Sequence, residues 1–131
     1  MQSSVKNLTM EGNIVLNREM ANESGKICAG GIAGGNVSAK GGYQSTAGGV
    51  VGLLTNSTSA SGDSSAPSVL NNSYATGSVT ASDAEMQNNA GGAAGQIMVV
   101  SATNCWASGN VSASGNPGYF NAAGGFAGSI I

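Results

Sequence analysis

Ala29-Gly30-Gly31-Ile32-Ala33-Gly34 returns as Ala47-Gly48-Gly49-Val50-Val51-Gly52, as Ala90-Gly91-Gly92-Ala93-Ala94-Gly95 and as Ala123-Gly124-Gly125-Phe126-Ala127-Gly128. Four spellings of one glycine-rich phrase within 131 residues mark a chain that coils on itself. Each turn of such a chain must solve the packing problem of the turn beneath it. The phrase reads as one strand or corner of each coil. Its variable position (Ile32, Val50, Ala93, Phe126) is expected to point inward and fill the layer. The flanking glycines permit a sharp corner or a close approach of backbones. The other side of the phrase would be an outer row of nearly bare backbone, suited to lateral packing.

A second phrase is interleaved with the first. Asn72-Ser73-Tyr74-Ala75-Thr76-Gly77-Ser78-Val79-Thr80-Ala81-Ser82 recurs 32 residues later as Asn104-Cys105-Trp106-Ala107-Ser108-Gly109-Asn110-Val111-Ser112-Ala113-Ser114. Shorter echoes are Gly35-Asn36-Val37-Ser38-Ala39 and Gly12-Asn13-Ile14-Val15. Alternation with period two is clear in it. One face reads Ser73, Ala75, Gly77, Val79 and Ala81, then Cys105, Ala107, Gly109, Val111 and Ala113. The other reads Tyr74, Thr76, Ser78 and Thr80, then Trp106, Ser108, Asn110 and Ser112. That pattern predicts half-buried strands with the small, apolar side inward, and Leu8, Met10, Gly12, Ile14 and Leu16 continue the inward face in the first unit.

Each Gly-Asn/Ser-Val/Ile element precedes one Ala-Gly-Gly element, so the chain holds four units. The expected fold is all-β: a parallel β-solenoid, helix-like in its winding, of about four glycine-rich coils with inserted loops. Matching strands of successive coils would lie about 4.8 Å apart in parallel ladders. Residues 1–131 form a single repeat domain, expected to be an excerpt of a longer protein because apolar stretches stand at both ends. Residues 55–68, rich in Ser and Thr and carrying Pro67, read as an exposed loop. Turns are expected at residues 39–45, 82–89 and 114–118. Residues 17–23 tolerate a helix but are too few to matter.

Charged residues make up 8% of the chain, against roughly 25% in ordinary soluble domains. The net charge of −2 comes with no basic cluster, so nothing in the sequence attracts nucleic acid. No apolar run reaches the roughly 20 residues of a membrane-spanning helix, and no signal peptide opens the chain. Hydrophobic residues reach 40%, but much of that is Ala, so the core is built from small side chains.

Together the two phrases resemble the GLUG-motif repeats of bacterial secreted and cell-surface proteins. Gly48-Gly49-Val50-Val51-Gly52 and Asn104-Cys105-Trp106-Ala107-Ser108-Gly109-Asn110-Val111 carry the match. The usual central Leu-Val pair is replaced by Ile-Ala, Val-Val, Ala-Ala and Phe-Ala. The resemblance implies a right-handed solenoid-like repeat in an extracellular protein, such as an adhesin or the region beside an IgA-cleaving metallopeptidase.

Chemistry is sparse. The chain has no histidine, which removes His-dependent acid–base catalysis and a His-x-x-x-His zinc site. Of the six carboxylates only Asp83 and Glu85 are close in sequence, on one turn, where a solvated turn outweighs a calcium contact. No catalytic residue, metal ligand or cofactor site is expected. Cys28 and Cys105 sit at different places in the repeat, about 14 Å apart by the ladder spacing; a disulfide needs Cα atoms within about 7 Å. They are expected as two buried thiols. Tyr74 and Trp106 fall in register and should stack outside the coil, as a ladder that steadies the sheet or as contacts for a glycan or protein partner. Six Asn-x-Ser/Thr sequons occur, at Asn7, Asn22, Asn36, Asn56, Asn71 and Asn110.

The functional expectation is a non-catalytic structural or adhesive module at the cell surface or secreted from it. Its partners would be a host or cell-surface protein, a glycan, or copies of itself. Two alternatives are a self-assembling extracellular fibre subunit and an accessory repeat domain of a surface peptidase or glycan-active enzyme. Ice binding is a minor further one, weakened by the lack of regular Thr rows.

Overall fold

A computed structural model of the chain describes residues 14–18, 26–30, 34–55, 68–98 and 100–131. No helix occurs among them, and none of the described residues forms a helix long and apolar enough to cross a membrane. The first repeat contributes β1 (Ile14–Arg18) and β2 (Lys26–Gly30). The second contributes β3 (Val37–Gly41), β4 (Gln44–Gly48), β5 (Val51–Thr55), β6 (Ser68–Asn71) and β7 (Tyr74–Ala75). The third repeats that order as β8 (Val79–Ser82), β9 (Gln87–Gly91), β10 (Ala94–Met98), β11 (Val100–Thr103) and β12 (Trp106–Ala107). The fourth adds β13 (Val111–Ser114), β14 (Phe120–Gly124) and β15 (Ala127–Ile130).

Among the described residues every strand-to-strand pairing is parallel and joins equivalent positions of neighbouring repeats. The sheet β1-β3-β8-β13 stacks Ile14, Val37, Val79 and Val111 in one row. The sheet β2-β4-β9-β14 stacks Ala29, Ala47, Ala90 and Ala123, with Gly30, Gly48, Gly91 and Gly124 in the next row. A third sheet, β5-β10-β15, has one strand fewer. Both phrases therefore fall on themselves, as the repeats predict. Their uneven spacing is absorbed between strands: Thr55 pairs with Met98 and Ser68 with Val100. Residues 56–67 thus enter the second repeat where the third has only residue 99. Most of the segment read as an exposed loop lies outside the described residues, as do Gly31, Ile32 and residues 1–13.

The alternation in the second phrase holds. Ala75, Val79 and Ala81 are buried, while Tyr74 and Thr76 are exposed. Val37, Ala39, Ala47, Val79, Ala81 and Ala90 form one core cluster, with Ile14, Val111 and Ala113 packed against it. Ala47 and Ala90 belong to this cluster, so β4 and β9 pack one face against β3 and β8. Their other face meets β5 and β10: a Cβ on Gly48 would lie 2.5 Å from the Gly95 nitrogen, and one on Gly95 would lie 2.6 Å from Thr46 Cγ2.

The sheet carrying the Ala-Gly-Gly phrase is therefore a middle layer. This corrects the expectation of a bare outer row, because Ala47 and Gly49 are buried under other strands. The variable position behaves as a filler in part: Ala93 is fully buried, and Val50 and Phe126 are half-buried.

The phrase does make a corner, at the bend between β4 and β5. None of its glycines there has positive φ, so close approach is what demands them. A Cβ on Gly49 would stand 2.2 Å from the Gly92 carbonyl oxygen and 2.5 Å from Ala75 Cβ. Positive φ is used instead in the connections between strands. Gly41 and Gly42 turn β3 into β4 (φ 84° and 70°), Asp83 leads out of β8 (φ 56°), and Gly118 lies before β14 (φ 115°).

The buried layer also holds polar side chains that alternation did not foretell. Ser45, Thr46, Asn88 and Asn89 are all buried. Ser45 Oγ shares its one proton between the carbonyls of Gly41 (2.6 Å) and Ser82 (3.2 Å). Asn88 Oδ1 accepts from the Ala84 amide (3.1 Å), and its Nδ2 donates to Asn121 Oδ1 (2.9 Å). Asn89 Oδ1 accepts from Gln87 Nε2 (3.2 Å), but Asn89 Nδ2 is buried with no partner.

Candidate functional site

The exposed aromatic step is the site that the fold assembles most clearly from two repeats. Asn72 and Asn104 occupy the left-handed region, at φ 50° and 52°, where Asn is better tolerated than most residues. Each sits between a longer strand (β6 or β11) and a two-residue strand (β7 or β12). The backbone is held across repeats by Asn72 N–H to Thr103 O (3.1 Å), Trp106 N–H to Ser73 O (3.1 Å) and Ser108 N–H to Ala75 O (2.8 Å). Ala75 turns inward to meet the Gly49 corner, so Tyr74 turns out.

Tyr74 pairs in register with Trp106. Their ring centroids are 5.0 Å apart and the planes 9° from parallel, a stack as the register predicts. Tyr74 is 40% exposed and Trp106 52%. Beside the rings runs a ladder of amides and hydroxyls. Asn104 Nδ2 donates to Asn72 Oδ1 (3.2 Å), and Thr103 Oγ1 donates to Asn71 Oδ1. Those bonds leave one polar group of each amide unused, on residues that are all exposed.

Cys105 belongs to this turn, and the expectation of a buried thiol is corrected. It is half-buried, and its Sγ shares one weak S–H between the carbonyls of Leu70 and Thr103, both at 3.2 Å. Ser73 makes the matching bond to Asn71 O (2.9 Å) one repeat below. Cysteine thus takes the place of a turn-closing hydroxyl. Cys28 is exposed, again against expectation, and no disulfide joins the two cysteines. Cys28 stands in the row of Thr46, Asn89 and Ala122. One repeat above, Thr46 of that row faces Gly95 of β10, and among the described residues no strand of the third sheet comes from the first repeat.

The turn that carries Asp83 and Glu85 is tied to the neighbouring repeat. Lys40 Nζ lies 3.4 Å from Asp83 Oδ2, and the Glu85 amide donates to Gly42 O (2.9 Å). Among the described residues no three His, Cys, Asp or Glu side chains are gathered as metal ligands.

The structural glycines divide by location. Gly30, Gly48, Gly91 and Gly124 end their strands in register; Gly49 and Gly92 lie at the bend under Ala75 and Ala107. Gly52, Gly95 and Gly128 follow in the third sheet, where Gly95 and Gly128 have no room for a side chain. Gly34 and Gly125 are not sterically required: a Cβ on Gly34 would meet only Thr76 Oγ1 at 3.6 Å, and one on Gly125 would meet nothing within 4 Å.

The chain is thus an all-β protein of parallel, in-register ladders with an aromatic and amide step on its surface. No family model, curated protein or solved structure matches it.

Proposed function

We propose that the chain is a parallel β-solenoid of about four coils, of the GLUG-repeat kind. In this reading it serves as a non-catalytic structural and adhesive module of a secreted or surface-anchored protein. The observation that carries the reading is the coincidence of two interleaved phrases with the ladders. The Val row and the Ala-Gly rows each run through all four repeats without a shift. Such a stack holds surface side chains at a fixed spacing along an extended body, which suits display and adhesion.

Beads coated with the protein test the adhesive part. They should resist detachment by flow from matrix-protein or glycan surfaces better than beads coated with the same protein after thermal unfolding. Equal detachment would contradict it.

A fibre subunit is the second reading, favoured by the edge strands β13, β14 and β15. No charged residue follows Glu85, and Phe120 is 77% exposed and Ile130 75%. Edges without charge invite pairing with another chain. Sedimentation that depends on protein concentration would support it; a monomer at about 100 μM, where an association with Kd near 1 μM would be nearly complete, would contradict it.

A further inference from the structure

We infer that the Tyr74–Trp106 step and the amides beside it form a binding site for a neutral polysaccharide chain. This rests on the adhesive reading and names the class of its ligand. Three features on one surface point the same way.

The first is ring exposure. Two stacked rings that remain 40% and 52% exposed offer apolar faces and edges to solvent. The axial C–H groups of a pyranose carry partial positive charge and fit the negative face of an aromatic ring. The second is hydrogen bonding. Asn71, Asn72 and Asn104 are exposed, and each uses one amide atom in the side-chain ladder, leaving the other for a ligand. A sugar hydroxyl donates and accepts, and so can pair with either amide group.

The third is charge and period. Residues 68–76 and 100–108 contain no Lys, Arg, Asp or Glu, so these two segments themselves give an ionic ligand no counter-charge. Equivalent groups recur one ladder step apart, about 4.8 Å, a distance comparable with the length of one sugar residue in an extended glycan. A repeating ligand can therefore meet one aromatic ring and one amide in each repeat, a hydroxyl accepting from Asn72 Nδ2 in one and donating to Asn104 Oδ1 in the next. A protein partner would be expected to use charged side chains, which these two segments do not offer; Val69, 56% exposed, adds an apolar contact beside Asn71.

Trp106 is the chain's one tryptophan, so its fluorescence reports on this site alone. The probes are cellohexaose, xylohexaose and mannohexaose, with hexagalacturonate as the charged control. At least one neutral hexasaccharide should give a saturable fluorescence change below about 1 mM, the weak end of specific binding. Its midpoint should be unchanged between low and high salt.

By calorimetry, Trp106→Ala and Tyr74→Ala should each weaken binding at least about tenfold, and Trp106→Tyr should restore it to within a few-fold. Circular dichroism and melting should show the variants folded. The inference is overturned if no neutral hexasaccharide binds the folded protein, or if folded Trp106→Ala binds as well as the original. It is also overturned if hexagalacturonate binds more tightly than all three neutral probes, or if the fluorescence shifts with protein concentration alone. Beads that hold to protein surfaces while the sugars fail would sink this inference and leave the adhesive reading in place.

Discussion

At the scale of single residues, the glycine phrase makes a graded steric demand that substitution can read. A side chain at Gly49 collides with the Gly92 carbonyl and with Ala75, both fixed by their own ladders. Gly49→Ala should therefore cost about 2–4 kcal/mol in urea unfolding, and Gly49→Val more. Gly125 occupies the equivalent place in the fourth repeat, with open space around it. Gly125→Ala should stay within about 0.5 kcal/mol of the original. Equal losses at the two positions would show that the demand is conformational and not steric.

Asn89 poses the opposite problem. Its buried Nδ2 has no partner, while Thr46 fills the same row one repeat away. Asn89→Thr removes the orphan donor and supplies a β-branched side chain suited to a strand. It should raise stability by about 1 kcal/mol, seen as a higher melting temperature. A lower one would mean that the amide has a partner in solution.

Among the elements, burial falls from the middle of the stack to its last repeat, and stability should follow. Val79 is fully buried between two rungs, whereas Val111 is half-buried on an edge strand. Val79→Ala should cost about 2–3 kcal/mol and Val111→Ala roughly half of that, from the methyl groups removed and the cavity left. Amide hydrogen exchange should likewise be slowest in β4, β8 and β9 and faster in β13, β14 and β15. Uniform protection would contradict a stack with one weak end.

The strands were legible where alternation was strong. Ser73 to Ala81 and Cys105 to Ala113 declare their inner face because small apolar residues occupy every second place. The third sheet was not legible, because Ala and Gly look alike on both sides of a strand and do not say that both sides are covered. Nor were the buried amides. Asn88 is satisfied by Asn121, 33 residues away, and Ser45 by Ser82, 37 residues away. A polar residue whose partner lies in another repeat looks like surface until the repeats are stacked. The aromatic step was legible in register, and the turn that supports it only in part, since Cys105 does in its turn what Ser73 does below it.

For the whole molecule, the ladders are the central claim: four repeats of different length, each laid in parallel register on the last. A one-residue slip would turn every inward side chain outward, so register and core stand or fall together. The most direct test is the set of cross-strand contacts seen by nuclear Overhauser spectroscopy in isotope-labelled protein. Amide and Hα contacts should join Ile14, Val37, Val79 and Val111 in one row, and Ala47, Ala90 and Ala123 in another. Close Hα–Hα contacts of the antiparallel kind between these strands, or rows displaced by one residue, would contradict it.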